Sequence, residues 1–126
     1  MVEYWDGTGV DIHALKAEVI RLGTEFPDKQ VGCVYSTADG EPVCIIGQAV
    51  FNITGKVVSN VTWWGQVSNS DQWVSALGGQ VLEYNLGFST EGFAAFQFVA
   101  RVQGHQDIGH TWSEALAHAR AWEQNL

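Results

Sequence analysis

Cations are scarce in this chain. Of its 126 residues only six are lysine or arginine, against 14 aspartates and glutamates, so the net charge at pH 7 is -8. The six cations, Lys16, Arg21, Lys29, Lys56, Arg101 and Arg120, are scattered. Nucleic-acid binding needs clustered cations that release counterions from phosphates, so no nucleic-acid partner is expected. An acidic surface suits a basic partner, but it also describes many ordinary domains, and that plainer reading is preferred. Long apolar runs are missing too. No stretch approaches the ~20 residues of a membrane span. The opening MVEYWDGTGVD has no apolar segment of the kind a secretory leader carries. A cytoplasmic protein with no membrane partner is the expectation. A Gly-rich phosphate loop, paired zinc knuckles and a nucleophile elbow are all lacking. No catalytic residue and no cofactor is therefore expected, and an enzyme is the less favoured reading.

What is present suffices for one domain, 1–126. A chain of this length buries roughly two-thirds of its unfolded surface and needs no staple. The two cysteines, Cys33 and Cys44, are expected as small buried thiols, given a reducing compartment.

The clearest local pattern runs from Cys33 to Gly55. Cys33 to Tyr35 reads as a strand, Ala38-Asp39-Gly40-Glu41 as a turn, and Val43 to Ile46 as the returning strand. Gly47 breaks that strand. Gln48 to Ile53 reads as a short helix stopped by Gly55. Upstream, Asp11 to Phe26 reads as the first helix, with Ile12, Leu15, Val19, Leu22 and Phe26 on one face. Thr8 or Asp11 caps it and Pro27 ends it. Before it, Tyr4 and Trp5 anchor an irregular arm.

In the interval from Val57 to Gly87, the opening VVSNVTWWGQV fits strand alternation and helical spacing about equally well. Within it, Asn69-Ser70-Asp71 suits a turn or cap before a short helix, Gln72 to Leu77. Glu91 to Asp107 reads as a long helix with Phe93, Phe96 and Ala100 on its inner face, widened by Phe98 and Val102. Gly109 stops it. Thr111-Trp112-Ser113-Glu114 is a capping box opening a last helix that buries Trp112, Ala115, Leu116 and Ala119. The short connection makes the last two helices antiparallel. Together these elements predict a compact, helix-rich α+β domain, with one β-hairpin packed on the first helix and a C-terminal helical hairpin.

Two candidate sites stand out. Gln103, Gln106, Asp107, Gly109 and Trp112 form the densest polar cluster. Their preferred role is structural, bonding backbone groups that helix ends leave free, with a small-ligand pocket as the alternative. The second is the stretch Pro42 to Leu82, whose only charged residues are Lys56 and Asp71 although it holds Trp63, Trp64 and Trp73. Aromatics with depleted charge mark interface centres, and a two-fold homodimer is the simplest occupant. A core role for the same tryptophans is the competing reading. The histidines His13, His105, His110 and His118, alone or with the cysteines, match no ligand spacing, so no metal is expected. A Cys–His catalytic pair is equally disfavoured. Asn52-Ile53-Thr54 and Asn60-Val61-Thr62 match the glycosylation pattern but carry no weight without a secretory leader.

Two patches resemble a group of small proteins from actinobacteriophages, of mycobacteriophage type, and their hosts. One is the C-V-Y, Asp-Gly turn and C-I-I-G-Q-A region; the other is Q-G-H-Q-D-I-G-H-T-W-S-E-A-L near the C-terminus. With the helix before Pro27 they cover about half the chain. The likeness implies a phage origin more than an activity. The expected function is protein–protein binding, to a second copy, with a host factor as a further candidate partner; the alternative is a small-molecule sensor or enzyme built on the Gln103–Trp112 turn.

Overall fold

The computed structural model describes residues 2–5, 10–31, 35–58 and 90–125, with side chains from 94 onward in the last of these. Among the described residues there are four helices: α1 (Ile12–Glu25), α2 (Ile45–Thr54), α3 (Thr90–Asp107) and α4 (Trp112–Gln124). Among the described residues there is no strand, only two isolated bridges, Tyr4 with Val57 and Ser36 with Pro42. The α+β expectation is therefore corrected: the described fold is helical, and α1 packs against helices rather than against a β-hairpin.

The reason lies in the expected return strand. The turn does form, with Thr37 N–H donating to the Glu41 carbonyl and Val43 N–H to the Tyr35 carbonyl, each at 2.9 Å. Pairing then stops. Pro42 has no N–H to give a ladder, and Cys44 already stands at the N-cap of α2, its sulfur accepting from Gly47 N–H at 3.2 Å. Ile45 and Ile46, expected in the strand, form the first turn of a helix. Cys44 is buried there, while Cys33 and Val34 lie outside the described residues. Gly47 is needed less to break a strand than to let two segments touch: a Cβ at this position would sit 2.4 Å from the Tyr35 carbonyl oxygen. Gly55 ends α2 in the left-handed conformation, φ 74°, which costs glycine nothing.

α1 forms where its periodicity places it. The Asp11 carboxylate caps it by accepting from Ala14 N–H at 3.1 Å, and Ile12, Leu15, Val19 and Leu22 are buried. Phe26, expected on that face, is 44 % exposed because it has left the helix. In α3 the innermost residues are Phe98, Val99, Val102, Gln103 and Gln106, all fully buried. This face is turned slightly from the expected one, since Ala100 is only partly buried. In α4, Trp112, Ala115, Leu116 and Ala119 are all buried, as their spacing requires. The N-terminal arm docks beside the end of α2: Trp5 N–H donates to the Val57 carbonyl at 2.8 Å and Val57 N–H to the Glu3 carbonyl at 2.9 Å. Trp5 is buried in the same core as the four helices. The expected elements within 59–89, including 72–77, lie outside the described residues. No helix among the described residues is long and apolar enough to cross a membrane.

Candidate functional site

The end of α3 and the turn into α4 carry two adjacent polar groupings, and α4 starts beside them. Its free N–H groups are fully used. Ser113 N–H donates to the Pro27 carbonyl at 3.1 Å and Trp112 N–H to the Lys29 carbonyl at 2.9 Å. Glu114 N–H donates to Thr111 Oγ1 at 3.2 Å, and Thr111 N–H returns to Glu114 Oε1 at 2.8 Å, closing the capping box. The Thr111 backbone N–H first, then the Thr111 side chain, hold the Glu114 carboxyl below the usual carboxylate range. Replacing Thr111 by alanine is expected to destabilise the protein by ~0.5–2 kcal/mol. A urea melt of the variant checks this, and an unchanged midpoint would mean that the loop carbonyls alone start the helix.

The first grouping is buried. Gln106 Oε1 accepts from Ile45 N–H at 2.9 Å and Gln103 Oε1 accepts from Ile46 N–H at 3.1 Å. These are two of the N–H groups that the start of α2 would otherwise leave unpaired. Both amide nitrogens donate to one oxygen, Asp107 Oδ1, at 2.8 Å from Gln103 and 2.9 Å from Gln106. The spacing i, i+3, i+4 puts all three side chains on one stripe of α3. The sequence grouped these residues as a cluster; their partner, 57 and 61 positions away in the chain, carries no local signal. Trp112 is fully buried, with Lys29 Nζ 4.8 Å from its ring centroid and its indole Nε1 without a hydrogen-bond partner.

The second grouping is an imidazole trio that spacing alone did not single out. His105 is in the last turn of α3, His110 in the turn and His118 in the second turn of α4. Ring centroids are 4.1 Å apart for His105 and His118, which stack at 8°, then 4.9 Å for His110 and His118 and 5.4 Å for His105 and His110. His105 and His110 are partly buried and His118 is exposed. Desolvation first, then His118, His110 and Arg101, lower the pKa of His105 below the usual imidazole value. Its Nδ1 is buried with no hydrogen-bond partner. Near neutral pH His105 is thus an uncharged imidazole with an available lone pair. His110 Nδ1 lies 4.0 Å from Glu114 Oε1. Imidazole nitrogens are the donors that zinc, copper and nickel favour.

A shallow groove beside α1 and α2 is lined by Arg21, Glu25, Phe26, Lys29, Gln48 and Asn52. Its polar edge is laced internally: Arg21 pairs with Glu18 and Glu25, Asn52 Nδ2 donates to Glu18 and Gln48 donates to Asn52. Trp63, Trp64 and Trp73 lie outside the described residues. No protein-family model, curated protein or solved structure matches the chain.

Proposed function

We propose that this chain is a binding domain that pairs with a second copy of itself through its charge-poor stretch, 42–82. The observation that supports this most directly is at the described end of that stretch. Phe51 and Ile53, in the last turn of α2, are 37 % and 38 % exposed, and Tyr4, bridged to Val57 beside them, is 51 % exposed. Large apolar side chains left exposed where charge is depleted suit an interface. Only two of the twenty charged residues fall in 42–82, while three of the six tryptophans do. The uncharged polar side chains there, such as Ser59, Asn60 and Gln66, are cheaper to desolvate than ions.

The small-molecule reading loses support from the same turn that suggested it. Gln103 and Gln106 spend their amide oxygens on α2 and their nitrogens on Asp107. The phage-like patches favour a host protein as a further partner of the same surface. Light scattering coupled to size exclusion tests the pairing. At tens of micromolar the expected mass is twice the 13.8 kDa of one chain, and Trp63→Ser with Trp64→Ser is expected to return the monomer. A monomer mass for the unaltered protein would overturn the reading, and a dimer that survives both substitutions would remove these tryptophans from its interface.

A further inference from the structure

We infer that His105, His110 and His118 form a binding site for a divalent transition metal, zinc(II) being the natural occupant. The three rings come from different parts of the α3–α4 hairpin, and one donor atom from each lies within 4.8 Å of the others. Around a zinc ion with bonds of about 2.0–2.1 Å, tetrahedral donors stand roughly 3.3 Å apart. The trio is therefore close to a coordinating arrangement without having collapsed into one. What remains is a ring rotation. His105 and His118 are nearly parallel, at 8°, so their lone pairs do not yet converge on one point. His118 is the exposed member and is free to swing about its side-chain torsions.

The surroundings suit a metal better than they suit three ordinary surface histidines. Stacked imidazoles repel one another once protonated, and a buried nitrogen with no hydrogen-bond partner is costly. His105 has both features, an orphaned Nδ1 and a ring stacked 4.1 Å from that of His118. A metal needs the neutral form. Glu114 supplies the outer contact. Its carboxylate is fixed by Thr111 N–H and stands 4.0 Å from His110 Nδ1, where it can orient that ring as carboxylates orient metal-bound histidines. Arg101 is the opposing charge, and its guanidinium is placed 4.5 Å from the Trp122 ring centroid. Three protein donors leave a fourth position open to water. The ion would clamp the end of α3 to the first turns of α4, beside the α3 residues that hold α2.

The test uses chelator-stripped full-length protein titrated with zinc(II) against a chromogenic competitor, and with cobalt(II) followed by its visible absorption. The expected result is one ion per chain, tetrahedral cobalt bands and a raised Tm. His110→Gln, in the turn, and His118→Gln, at an exposed position, should keep the helical circular dichroism and each weaken binding by more than ~10-fold. Glu114→Gln, which can still close the capping box, should weaken it by about 10-fold through loss of the oriented carboxylate. Absence of saturable binding at micromolar zinc would overturn the site. So would one-to-one binding that survives both histidine substitutions, because the ion would then lie elsewhere, at His13 or the cysteines.

Discussion

Replacing Gln103 and Gln106 together by methionine is expected to remove ~2–6 kcal/mol of stability. Each substitution leaves one buried N–H at the start of α2 without an acceptor, and such a group costs about 1–3 kcal/mol. Methionine is chosen because it has nearly the length of glutamine, suits a helix and fills space flexibly, so the loss reads the hydrogen bonds rather than a cavity. Asp107 Oδ1 loses both of its amide donors in the double variant. For a chain of this size the Tm should fall by on the order of 10 °C. A second readout localises the effect. Hydrogen exchange at the Ile45 and Ile46 amides should speed up more than at amides within α1. A double variant within ~1 kcal/mol of the parent would show that water or the backbone replaces the glutamines at no cost.

The same residues show what could be read from the chain. α1 and α4 were legible because their determinants are local: apolar spacing, Asp11 as a cap, and a capping box four residues long. The strand assigned to Val43–Ile46 was not, because four apolar residues in a row satisfy a buried strand and a buried helix alike. The decision is made elsewhere. The Gln103 and Gln106 oxygens take the Ile45 and Ile46 N–H groups that a ladder would have used. A sequence reader sees two glutamines on the inner stripe of α3 and has no way to assign their acceptor role to a segment sixty positions earlier.

The histidine trio was hidden for a related reason. His105 and His110 flank the turn, and His118 follows two helical turns later. Their separations fit no ligand motif on a single element, yet folding the hairpin back brings the three rings to 4.1–5.4 Å. Charge depletion in 42–82 was visible from composition alone. Charge depletion carries no directional information, so it fits a buried core and an interface alike.

Trp112→Ala is expected to cost ~3–5 kcal/mol, the range for truncating a large buried aromatic. Trp112 is the largest fully buried side chain among the described residues, and it is the first residue of α4. Its backbone N–H is held by the Lys29 carbonyl, and Leu116 and Ala115 continue the buried face one turn on. Across that face, the backbone of α1 approaches so closely that a Cβ on Gly23 would sit 3.3 Å from the Trp112 carbonyl oxygen and 3.1 Å from Leu116 Cδ2. The backbones of α1 and α4 are already in contact and cannot close over the lost indole, so the cavity persists and its cost is felt in full. Trp112→Phe separates packing from hydrogen bonding. The indole Nε1 is buried without a partner, so phenylalanine discards a donor that earns nothing and loses only part of the ring. It should cost under about 2 kcal/mol. Thermal and urea melts of the two variants decide. Equal, large losses would mean that the indole N–H does have an acceptor, whereas a small loss for alanine would mean that α1 and α4 slide together after all.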